Sequence, residues 1–137
     1  MSPFVKASIT GLAAVAVAAW AGLAQAQEST RTEIKRTEIK RSDLTGTNME
    51  VIMTVLEAPP GAVLPKHFHY GEEAFYVLEG AMTEIPGQPA APRAQGTGGI
   101  NVREVPHAGY KVVGDKPLKL LTVHVVDKGK PLAVNVP

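Results

Sequence analysis

The chain has 137 residues, 14 Lys and Arg against 13 Asp and Glu, and no cysteine. That length suits one domain with a core of its own, and the near-neutral charge excludes nucleic acid or anionic lipid as the main partner. Without cysteine there are no disulfides and no thiolate chemistry, so any metal site must be built from nitrogen and oxygen.

In chain order, Met1 to Lys6 is a short start with one positive charge. Ala7 to Ala24 is an Ala/Val/Leu-rich run, and Ala24-Gln25-Ala26 is an A-x-A cleavage signal. This predicts a helical secretory signal peptide over residues 1–26, with Trp20 inside it. A retained anchor is the competing reading. Ser8, Thr10 and Gly11 interrupt the run, however, and it barely reaches the ~18 residues that suggest a span. Cleavage after Ala26 takes only Lys6 among the charged residues and leaves acidic and basic groups in balance. The expected location is periplasmic or secreted, with no stable membrane association after cleavage.

Residues 27–42 form a polar arm with a tandem pentapeptide, Arg31-Thr-Glu-Ile-Lys35 and Arg36-Thr-Glu-Ile-Lys40. Two copies are too few for a solenoid. The alternation of Thr, Ile and charge suits an edge strand or a disordered arm. From residue 43 to 137 the pattern is one β domain. Short β-branched or apolar runs occupy 50–56, 62–68, 74–78, 81–85, 100–105, 110–113 and 118–126. They are separated by Ala58-Pro-Pro-Gly61, Tyr70-Gly71, Glu79-Gly80, Pro86-Gly87, Pro106 and Gly114-Asp115. Many short strands with Gly/Pro punctuation indicate an all-β sandwich or barrel. Residues 86–99, rich in Pro, Gly, Ala and Gln, read as a loop of about fourteen residues, either mobile or a lid.

His67-Phe68-His69 is the most informative segment. Side chains alternate faces along a strand, so the two histidines point to one side. Glu73 returns a carboxylate to that side after the turn at Tyr70-Gly71, while Glu72 takes the opposite, solvated face. Two imidazoles and one carboxylate are most of a site for a divalent transition metal.

The spacing from Gly61 to Gly80, G-x5-H-x-H-x3-E-x6-G, resembles the first motif of the cupin superfamily, and residues 43–134 resemble a small single-domain cupin. The resemblance implies a small double-sheet jelly roll, the double-stranded β-helix barrel. It also implies a fourth ligand from a second motif. That motif matches poorly here: Gly98-Gly-Ile-Asn-Val-Arg-Glu-Val-Pro106-His107 lacks the inner P-x-G, and Lys111 stands where Asn is usual. His107 is the best fourth ligand, since Pro106 fixes an extended approach and the histidine opens a strand. His124, in the apolar strand 118–126, is its competitor. It reads as a neutral core histidine, or as a partner that orients the ligand carboxylate.

The implied cofactor is one divalent transition metal, Fe, Mn, Ni, Cu or Zn, held by His67, His69, Glu73 and His107. Glu73 is also the candidate catalytic base. The implied activity is that of a metal-dependent dioxygenase or related oxidoreductase on a small oxygen-bearing compound. The alternatives are a binding protein for a metal or small ligand without turnover, and a sugar isomerase or epimerase. Tyr70, Phe75, Tyr76 and Tyr110 are candidates to line a substrate pocket. The C-terminal stretch ending Val134-Asn-Val-Pro137 is placed to reach another subunit, which would make a homodimer. No Ser/His/Asp set, phosphate-cradling loop or nucleotide fingerprint is present.

Overall fold

Period-two burial organises the barrel. In the strand Leu118–Asp127 every second side chain is buried, from Leu118 through Leu120, Thr122 and His124 to Val126. Its neighbour Met49–Ala58 buries Glu50, Ile52, Thr54, Leu56 and Ala58 in the same rhythm. The computed structural model describes residues 32–137. The predicted signal peptide, residues 1–26, and the start of the polar arm lie outside the described residues.

Ten strands and no helix make up the described residues: β1 (Lys35–Leu44), β2 (Met49–Ala58), β3 (Val63–Phe68), β4 (Gly71–Glu79), β5 (Ala81–Glu84), β6 (Ala91–Arg93), β7 (Gly98–Asn101), β8 (His107–Val113), β9 (Leu118–Asp127) and β10 (Val134–Asn135). They form two antiparallel five-stranded sheets, ordered β1-β2-β9-β4-β7 and β10-β3-β8-β5-β6. Their inner faces share one core. Leu56, Ala58, Val77, Leu118 and Leu120 come from the first sheet, and Leu64, Ala81, Tyr110 and Val112 from the second. This is the double-sheet barrel that the strand pattern and motif imply.

The β2–β9 register grades the interior from apolar to polar. Ala58 pairs with Leu118 and Leu56 with Leu120, then Thr54 with Thr122 and Ile52 with His124. Burying each large apolar side chain at the first end contributes about 1.5–3 kcal/mol. The polar end receives the histidines.

One segment left open by the sequence is decided in the structure, and two others differ from the expectation. The pentapeptide repeat enters β1, an edge strand exposed along its length, with Ile39 left out of register as a bulge. The predicted loop 86–99 contains β6 and the start of β7. Strand β6 has only three residues and carries Pro92, which a sheet edge tolerates because no ladder N–H is needed there. The predicted strand 100–105 stops at Asn101. Beyond it the chain turns, with Glu104 at φ 58°, Val105 N–H donating to the Val102 carbonyl at 3.1 Å and Glu104 N–H donating to the His69 carbonyl at 2.9 Å.

Candidate metal centre

Both sheets and one connection supply the site. His67 and His107 are register partners on β3 and β8 of one sheet. Glu73 on β4 is flanked in the other sheet by Asn101 of β7 and His124 of β9. His69 lies in the link from β3 to β4, fully buried. Gly71 makes that link possible. A Cβ there would stand 2.0 Å from the Val125 carbonyl oxygen, so only glycine lets β4 start flush against β9. The ligand atoms of His67, His69, Glu73 and His107 lie within 4.8 Å of one another.

Each of the three rings is oriented by a main-chain carbonyl. His67 Nδ1 meets Pro65 O at 2.8 Å, His107 Nδ1 meets Val105 O at 3.0 Å, and His69 Nδ1 meets the Leu132 carbonyl. A carbonyl only accepts, so each Nδ1 donates, and in the neutral ring the lone pair sits on Nε2. These lone pairs converge. His69 Nε2 and His107 Nε2 are 3.2 Å apart, and Glu73 Oε2 is 3.2 Å from the first and 3.3 Å from the second. Three acceptors this close need a cation between them, and bonds near 2.1 Å give donor–donor edges of about 3 Å. The N/O donor set, the burial and the fixed tautomers therefore fit a divalent transition metal.

Glu73 is ionised throughout the ordinary pH range. Burial by itself would raise its pKa. The side-chain interactions with His69 and Asn101 and the nearby His124 outweigh it and hold the carboxyl at about 2. Asn101 Nδ2 donates to Glu73 Oε2 at 2.7 Å. His67 is shifted below the ordinary histidine value, chiefly by burial.

His124 sits on the other side of the carboxylate. Its Nε2 is 3.6 Å from Glu73 Oε1 and 3.0 Å from Thr122 Oγ1, and burial lowers its pKa to about 4. It stands outside the converging four and against the carboxylate of one of them. Arg36 reaches the same network from β1. The residue is exposed as a whole, but its Nη1 donates to Thr54 Oγ1 at 3.1 Å and to Thr122 Oγ1 at 3.4 Å. Asn101, Arg36 and the Leu132 carbonyl were not singled out from the sequence. Strand register brings Asn101 to Glu73 and Arg36 to the His124 network, and the connection between β9 and β10 brings the Leu132 carbonyl to His69.

The cluster opens onto a cavity of about 130 Å³ lined by Leu56, Leu64, Phe75 and Leu120 beside His67, Glu73 and His107. Of the candidate aromatics, Phe75 and Tyr110 face this cavity. Tyr76 is exposed, and Tyr70 packs edge-on against Phe68. Glu72 is exposed, as its place opposite Glu73 requires.

A double-sheet barrel with a cluster of three histidines and one glutamate at its polar end defines a cupin. The profile of the ChrR cupin-like domain family matches residues 22–109, more than half of the chain, and the chain belongs to that family. No protein of curated function matches it. Among solved structures it is similar to the polyketide cyclase RemF from Streptomyces resistomycificus, with 26% identity and a TM-score of 0.57 over 77% of this chain and 72% of that one. The DMSP lyase DddQ from Ruegeria pomeroyi shares 20% identity at TM-score 0.56 over 75% of this chain, which spans about half (51%) of the lyase. An uncharacterised double-stranded β-helix protein from Klebsiella pneumoniae shares 17% identity at TM-score 0.54, over 78% of this chain and 94% of that one.

Proposed function

We propose that the protein is an exported, metal-dependent enzyme acting on a small oxygen-bearing compound, with dioxygenase-like oxidoreduction as the leading reaction. One observation carries this reading: three of the four converging donors, His67, Glu73 and His107, are not sealed in the core but face the cavity. Its volume of about 130 Å³ is close to that of engineered cavities that admit benzene, so it suits roughly six non-hydrogen atoms. A divalent metal held by His67, His69, Glu73 and His107 would supply Lewis acidity or redox chemistry to a ligand there.

The chain's own residues prepare the site. The carbonyls of Pro65, Val105 and Leu132 fix the imidazoles. Asn101 holds the carboxylate, and Leu56, Leu64, Phe75 and Leu120 displace water from the cavity wall. A carboxyl whose pKa is held down at about 2 is a weak proton acceptor as the carboxylate. In this reading Glu73 therefore serves as a fixed negative charge and ligand more than as a base.

The likeness to the polyketide cyclase at 26% identity favours a second reading, the same centre working without net redox change. Metal analysis of protein purified from its export compartment, followed by oxygen-uptake assays with small hydroxylated and enolisable compounds, separates the two. Oxygen uptake with a bound redox-active metal supports the first, and conversion without oxygen supports the second. Metal or ligand bound with no turnover of any compound would leave a binding protein. Export is tested by intact mass, which should begin at Gln27. A membrane-bound protein retaining residues 1–26 would count against it.

A further inference from the structure

Arg93 is a charged group of the cavity that the metal centre does not use. It ends β6, and its guanidinium carbon lies 4.4 Å from the Tyr110 ring centroid and 5.9 Å from that of Phe75. Stacking covers a face of the guanidinium and leaves its N–H edge as the part able to donate. Its Nε is buried and has no hydrogen-bond partner, and among the described residues Arg93 forms no salt bridge. The side chain nevertheless lines the cavity together with His67, Glu73 and His107.

The charge of the cavity points the same way. Arg36 enters it from the opposite wall, donating only to neutral groups and the His124 ring. Two guanidiniums thus face one carboxylate, Glu73, which a bound metal would neutralise in full. Arg93 is only partly exposed, and a cation held largely out of water without a counter-ion is costly. The remaining positive charge calls for an anion supplied from outside.

We infer that the cavity binds a small organic carboxylate, its carboxylate received by the N–H edge of Arg93 and its other end directed at the metal centre. A planar fork of N–H donors matches a carboxylate in two parallel hydrogen bonds. The volume limits the rest of the molecule to a few non-hydrogen atoms, and the apolar walls suit carbon. This names the substrate class of the site proposed above and rests on the reading of that cavity as a substrate site.

The test is calorimetric titration of the mature protein, zinc-loaded and metal-free, with propionate, pyruvate and the neutral propionamide. Wild-type protein should bind both carboxylates, and propionamide at least about tenfold more weakly. Arg93→Gln should weaken propionate by a similar factor while metal content, measured by mass spectrometry, stays at the wild-type level. Arg93→Lys, which keeps the charge but not the fork, should fall between. Equal binding of propionate and propionamide to wild type, or no binding of either, overturns the inference without needing any variant to fold. Loss confined to Arg36→Gln overturns the assignment to Arg93. Carboxylate selectivity that persists in protein unable to take up metal would uphold the inference and sink the metal reading. Metal uptake with no selectivity would do the reverse.

Discussion

His107 and His124 stand on different oxygens of one carboxylate and should fail in different ways. His107 opens β8 and is only partly buried, so His107→Ala removes a metal donor and little packing. Its stability should match wild type once chelator is present. His124 is fully buried in mid-strand, and His124→Ala should stay less stable by about 1–3 kcal/mol with or without metal. Urea denaturation with and without EDTA reads both. If chelator erases the His124 effect and not the His107 effect, the ligands are exchanged. The same histidine sets a pH dependence. Its folded pKa of about 4 lies below the ordinary histidine value of 6.5. Between these two values the unfolded chain binds a proton that the folded chain refuses. Metal-free stability should therefore be complete above pH 6.5, fall as pH drops toward 4, and level off below, by an amount on the order of 3 kcal/mol. Urea midpoints between pH 7 and 4 should show that slope, flattened in His124→Ala. An equal slope in the variant would place the titrating charge on another residue.

At the scale of the strand, the centre depends on β4 lying flush with β9. Gly71→Ala would drive a methyl into the Val125 carbonyl oxygen and the Val126 Cα, 2.0 and 2.7 Å from the built Cβ. The strand must shift, and Glu73 with it. The expected loss exceeds about 2 kcal/mol, and metal affinity should drop alongside. Gly46→Ala is the control: its φ of +80° carries strain, but nothing lies within 4 Å. It should cost about 1 kcal/mol and leave metal binding alone. Equal effects of the two on metal affinity would mean that β4 does not need this close approach. Strand alternation also explains what was legible beforehand. His67 and His69 share a face by period two, and Glu73 follows at motif spacing, so three of the four converging groups could be read from local sequence. His107 needed the second motif, where Lys111 and the missing P-x-G weaken the match. Asn101, Arg36 and Arg93 were not legible, because each acts across a pairing. Asn101 is opposite Glu73 only through the β4–β7 register, and Arg36 is opposite Leu56 only through β1–β2. The strand that places Arg93 is three residues long and interrupted by Pro92, too short for any periodicity to reveal.

Across the whole molecule, the two ends of the barrel interior carry stability differently. The apolar end, from Ala58 and Leu118 to Val77 and Val112, is closed by side chains alone. The polar end buries His67, His69, Glu73, Thr54, Thr122 and His124, groups that destabilise a fold unless they are partnered. Most have partners within the chain, His124 Nδ1 excepted, while the inward Nε2 atoms of His69 and His107 meet each other and Glu73 Oε2, where a bound cation would satisfy them together. Metal would bind the folded chain and not the unfolded one, so it should raise stability by mass action, about 2.7 kcal/mol at a hundredfold excess over Kd. For a domain of this size that is roughly a 10 °C rise in melting temperature. The apolar end should keep the metal-free protein folded, so chelation should lower the transition without abolishing it. His69→Ala takes away a fully buried donor shared by Glu73 and His107. Its melting temperature should be the same with and without metal, and its metal content should fall in parallel. Wild-type metal content together with an unchanged melting temperature would show that the imidazoles hold no metal and that the convergence at Glu73 is structural.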